Sequence, residues 1–194
     1  MRAAALVTFL AAAAVLAAAT KPVSARRAAP ACGHDLFDLK TFSDARRNLV
    51  YLRPVQTTVG AIAARRRPRQ TPTARARGFE RHVLRVTAEI TEYKLEPDSD
   101  IHMILFDKGV YMIAEMPSPA CLPRTTRQRR AITNARKYFE QRCGAATNQW
   151  RSLGAVADIS GVGFWDTPHG QRGHAPNYAE LHPVTHIELI AGCA

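Results

Sequence analysis

The chain has 194 residues, 46% of them hydrophobic and 22% charged, and a formal net charge of +11 from 27 Lys and Arg against 16 Asp and Glu. That length carries one domain with an apolar core and excludes an obvious second one. The charge raises a polyanion as partner, but its placement along the chain restricts that reading.

Arg2 and the alanine-rich apolar run Ala3–Ala19, followed by Val23-Ser24-Ala25, predict a cleaved secretory signal over residues 1–25. No later stretch is apolar enough to span a bilayer, so the expected location is secreted or periplasmic. Residues 26–64 are mixed. Asp44 is a candidate helix cap, and "TTVGAIAA" a candidate short helix packed on the domain. Residues 65–80 form an Arg-rich, proline-punctuated segment that reads as an exposed linker.

From Arg81 to the end the pattern is that of a β-domain. Leu84, Val86, Ala88 and Ile90 alternate with Arg85, Thr87, Glu89 and Thr91, which predicts a strand with one wet face. A turn at Pro97–Asp100 leads to a more apolar strand, Ile101–Asp107, and a tight turn to a third, Val110–Met116. A helix from about Thr126 to Arg142 follows, capped by Thr125 or Thr126, with Ile132, Ala135 and Phe139 on one face and the basic residues mostly on the other. "AVADISGVGFW" is the fourth strand, its glycines suited to a bend, and "AELHPVTHIELI" the fifth. A mainly β fold with one main helix results, in the order β-β-β-α-β-β after an irregular N-terminal segment. That is the order of a five-stranded, OB-like Greek-key barrel.

Cys32, Cys121, Cys143 and Cys193 lack C-x-x-C spacing, so with export they predict two disulfides in one of three pairings. Cys121 reaches Cys143 only if the residues between run back along the helix, and Cys32 with Cys193 would then staple the ends. The basic residues concentrate in Arg65–Arg81 and Arg124–Arg142, leaving the strands neutral to acidic. Any polyanion contact is therefore assigned to those two segments.

The candidate site residues lie in three stretches. In "ELHPVTHIE", His182 and His186 would sit about 13 Å apart on a strand, too far for one metal ion, whereas Glu180 and His182 are about 7 Å apart on one face. A solvated outer face of an edge strand is the plainer reading of that pair. The loop after the fourth strand carries Trp165, Asp166, His169, His174 and Asn177 between glycines and prolines, a pattern of binding loops and equally of self-bonded lids. Asp98, Asp100 and His102 alternate in "EPDSDIH", with Glu115 a further acid if it faces the same cleft. Phe106, Tyr111, Phe164 and Tyr178 are available for stacking or packing. His102, His169, His174 and His182 form the candidate metal set, and a divalent metal is the one cofactor considered. Nucleophilic catalysis finds no serine elbow and no phosphate loop.

The blocks "YKLEPDSDIH", "MIAEMPSPAC" and "GVGFWDTPHGQRGHAPNYAELHPV", within Arg81–Ile190, resemble a family of exported bacterial proteins without an assigned activity. The resemblance implies a small β-rich exported domain and carries over no functional residue. Three functions compete: an OB-like binding module for a polyanion or envelope polymer, a metal-assisted hydrolase using the His and Asp residues, and a structural envelope protein.

Overall fold

A computed structural model of the chain describes residues 31–33 and 35–193; the expected signal, 1–25, lies outside the described residues. The elements run α1 (Phe37–Lys40), β1 (Tyr51–Gln56), α2 (Val59–Ala63), β2 (His82–Leu95), β3 (Ile101–Asp107), β4 (Val110–Met116), α3 (Arg129–Cys143), β5 (Arg151–Trp165) and β6 (Ala179–Ala191). The protein is mainly β with one main helix, as expected, but its one sheet has six strands rather than five. The unexpected strand is β1. It carries Pro54, is exposed at every position but Leu52, and lies parallel to the start of β2. A strand with no buried face leaves no alternation to read.

The sheet order is β1-β2-β3-β4-β6-β5, with a further pairing of β2 to β5. β1 and β3 share one side of β2, at His82–Arg85 and Glu89–Leu95, while β5 takes the other. Each strand from β2 to β6 thus has neighbours on both sides. The period-two residues behave as expected: Leu84, Val86, Ala88 and Ile90 are buried in one core with Met103, Leu105, Met112 and Leu181. α3 closes that core, where Tyr93 meets Phe139 edge-on and donates its hydroxyl to the Cys143 carbonyl at 2.8 Å. Gly161 and Gly163 sit at register shifts between β5 and β6. A Cβ on Gly163 would lie 2.5 Å from the Phe79 carbonyl oxygen, so the bend there admits no side chain.

Several basic residues expected to be solvated are not. α3 begins at Arg129, behind Gln128 in the left-handed conformation and without a threonine cap. Arg136 on α3 turns inward, donating to the carbonyls of Ser99 at 2.7 Å and Met116 at 2.9 Å. Arg75, in the Arg-rich stretch, is wholly buried and pairs at 2.7 Å with Asp44, whose other carboxylate oxygen accepts from the Arg46 amide at the start of the short 3-10 helix Arg47–Leu49. Thr58 supplies the cap of α2, accepting from the Ala61 amide. Among the described residues no helix is long and apolar enough to cross a membrane.

The disulfides are Cys32–Cys121 and Cys143–Cys193. The pairing of Cys121 with Cys143 fails because α3, 15 residues long, carries Cys143 about 22 Å along its axis. Cys32–Cys121 instead ties the N-terminal segment across the end of β4. Two disulfides and no free cysteine suit an oxidising compartment.

Candidate functional site

In β3, β4 and the first half of β6, both faces are buried. The inner face is apolar. The outer one carries His102, Ile104, Ile113, Glu115, Glu180 and His182, and the chain roofs it with two of its own segments. The loop 166–178 comes down on β3: a Cβ on Gly173, at φ +79°, would lie 2.6 Å from Ile104 side-chain carbons. On the other flank α1 brings Lys40 to 3.9 Å from Asp166, and Gly33 packs against Asp98. Glu180 and His182 therefore do not lie on a solvated outer face. They sit beneath a roof that β-periodicity cannot reveal.

Glu115 is the centre. One carboxylate oxygen is 3.0 Å from His102 Nδ1 and the other 3.1 Å from His182 Nδ1. His182 Nε2 is 3.3 Å from Asp100 Oδ2, and its Nδ1 is 3.8 Å from Glu180. None of these nitrogens has a hydrogen-bond partner in line with its N–H direction. His102 Nε2 is different. It donates to the Arg172 carbonyl at 3.1 Å, which fixes that proton; Nδ1, facing Glu115 and Glu96, must then carry one too to be attracted to them. Asp100 Oδ1 accepts from the Ser118 amide at 3.3 Å.

The charges are mutually dependent. Burial pulls the pKa values of His102 and His182 down, but the carboxylates around them outweigh it, and both end above the usual histidine value, His182 well above. Burial pushes Glu115 up, yet the two histidines hold it well below the usual carboxylate range. Glu180 has burial and the neighbouring acids Glu115 and Asp166 against it, and only His182 to help; it is raised to about 7. Asp166, buried between Lys40 and His169, is raised by desolvation in the same way. Asp100, Glu115 and His182 each offer a ligand atom within 4.8 Å of the others, so this trio could hold a metal ion.

The remaining candidates divide. His169 reaches Asp166 at 3.3 Å but is half exposed, and His174 stacks on Tyr178, so the four histidines do not converge. Trp165 belongs to the core against Phe79. Asn177 is a clamp, donating to the Ile62 and Arg65 carbonyls and accepting from the Ala179 amide. Sequence reasoning missed Lys40, Glu96 and Trp150. Lys40 lies in a segment without periodicity, and nothing in the sequence places it beside Asp166.

Beside the roofed cluster the outer face opens. A cleft of about 480 Å³ is lined by Thr91, Glu92, Ile104, Tyr111, Ser152 and Arg172. Tyr111 is 46% exposed and packs on Phe106, and Arg172 pairs with Glu92 at 2.8 Å. Trp150 stands next to it, its ring edge-on to His102 and flanked by Lys94 and Arg172.

No protein-family model matches the sequence and no curated protein matches it. Among solved structures 10 chains match. One of them is named as an aspartyl-tRNA synthetase from Leishmania major Friedlin, at 12% identity and a TM-score of 0.43; the match covers 75% of this chain and 22% of that one. A likeness at that level assigns neither fold nor function.

Proposed function

We propose that the protein is an exported binding module of OB type that takes a neutral, glycan-like envelope polymer in the cleft between the outer face of β2–β4 and the loop 166–178. The signal-like N-terminus and the two disulfides support export. The OB reading is supported by the ring of pairings β2-β3-β4-β6-β5-β2, with β4 and β6 parallel and α3 between β4 and β5. OB-folds bind on the face of their second and third strands, next to the loops after the first and fourth. Here those are β3, β4, the turn 96–100 and the loop 166–178.

The observation that carries the ligand class is the cleft itself. Its volume suits a ligand of a few rings, and its two charges cancel, Arg172 with Glu92. A polyanion finds no net field there. A polyhydroxyl ring finds an exposed tyrosine to stack on, with donors and acceptors at the rim. The cationic segments do not line this cleft, and three of their arginines, Arg75, Arg127 and Arg136, donate to backbone carbonyls. Hydrolysis at the His and Asp cluster is disfavoured by access, since the cavity reaching Asp100 from α1 holds about 10 Å³, room for one water.

The test is titration of the folded, oxidised protein with neutral oligosaccharides and with single-stranded DNA, followed by Trp150 emission. Oligosaccharide binding that is insensitive to salt and weakened about tenfold or more in Tyr111→Ala supports the reading. Binding of DNA alone, with a steep salt slope untouched by that change, refutes it.

A further inference from the structure

Among the described residues, both ring nitrogens of His182 are buried polar atoms without a hydrogen-bond partner. The side chain is fully buried, yet neither nitrogen has an aligned partner, although carboxylate oxygens stand at 3.1 Å and 3.3 Å. Buried polar groups are nearly always satisfied, and each exception asks for a cause such as an ion. A second observation points the same way. Around His182 the carboxyl groups of Asp98, Asp100, Glu115, Asp166 and Glu180 face three buried cationic groups, Lys40, His102 and His182. His182 must be neutral to bind a metal, so these carboxyl groups outnumber the remaining cations, Lys40 and His102, and a divalent cation relieves the excess of acid.

We propose that Asp100, Glu115 and His182 bind a single divalent cation of the zinc or manganese class. The donor set is two carboxylates and one imidazole, without thiolate. Hard magnesium and calcium prefer oxygen-only shells, and copper(I) prefers sulfur, whereas zinc and manganese accept mixed oxygen and nitrogen ligands. Ligand atoms of a tetrahedral zinc site stand about 3.4 Å apart, given bonds near 2.1 Å. The 3.3 Å from His182 Nε2 to Asp100 Oδ2 already has that length, and the third ligand lies within 4.8 Å.

Supporting contacts are also in place. With Nε2 of His182 on the metal, Nδ1 faces Glu180 at 3.8 Å, a carboxylate outside the ligand trio, as ligating histidines do. Glu115 is oriented by His102, which is anchored through its Nε2–H on the Arg172 carbonyl, and Asp100 by the Ser118 amide. Beside Asp100 a cavity of about 10 Å³ has room for one water. This cation is independent of the polymer in the cleft.

The experiment uses the oxidised full-length protein, stripped with a chelator and re-equilibrated with zinc or manganese. The expected result is one bound ion per chain by elemental analysis, and a melting temperature raised by roughly 5–10 °C at a hundredfold excess over Kd. Asp100→Asn keeps an acceptor for the Ser118 amide and should lose both effects. Glu115→Gln is a second variant with the same expectation, and His186→Ala, an exposed histidine, should leave both intact. Wild-type protein that neither retains metal nor shifts overturns the proposal, whatever the variants do. So does a shift that survives Asp100→Asn and Glu115→Gln but disappears in His186→Ala. Neither failure touches oligosaccharide titration, which is read on Tyr111.

Discussion

Two sets of buried charge can be compared in this one small protein. Around Arg75 every polar atom is accounted for: its guanidinium donates to Asp44 at 2.7 and 3.0 Å and to the carbonyls of Leu39 and Glu80 at 3.1 Å. Glu80 in turn accepts from the amides of Ala76 and Trp165. Around His182 the burial is equal, but the atoms are close without being aligned, and acids outnumber bases. The first set is built to stay shut: it ties the N-terminal segment and the Arg-rich stretch to β5. The second has the form of a site that something else completes. The two sets are equally buried and differ in how far their polar atoms are satisfied.

The largest effect is expected at Arg75. Arg75→Met strands Asp44 and should cost about 3–5 kcal/mol in urea unfolding, the usual result of removing one partner of a buried pair. A loss below about 1 kcal/mol would mean that the pair is dispensable and the contrast empty.

A smaller effect, with a defined sign, is expected at Glu180. A carboxyl raised from 4.5 to about 7 keeps its proton in the folded protein while the unfolded chain ionises. Stability from this group is present below pH 4.5 and is lost as pH rises through 7, at up to about 1.4 kcal/mol per pH unit. In chelator, Glu180→Gln should therefore gain on wild type from pH 5 to pH 8; parallel urea midpoints across that range contradict it. The smallest effect belongs to the cleft, where Tyr111→Ala should change folding stability by roughly 0.5 kcal/mol or less, as for an exposed side chain, while weakening oligosaccharide.

Much of the fold was legible because its strands obey period two. β3 and β4 begin and end where the turn residues place them, and β2 and β6 are within a residue or two. β1 was invisible for want of a buried face, and the start of α3 was misplaced because two threonines that look like caps are not used as one. Within the site, His102, Glu180 and His182 were legible as polar residues on strands, and Asp100 as a residue of the turn before β3. Their burial was not, since it depends on Lys40 and Gly173, residues distant in sequence that roof the face. The disulfides had the right members; their pairing depended on the direction of α3 in space.

The most direct measurement is anomalous diffraction at the zinc edge from crystals of the oxidised protein equilibrated with zinc. One strong peak is expected among Asp100, Glu115 and His182, about 2.0–2.2 Å from an atom of each. A map without a peak there, or with peaks only at exposed histidines such as His186, would contradict the proposed site.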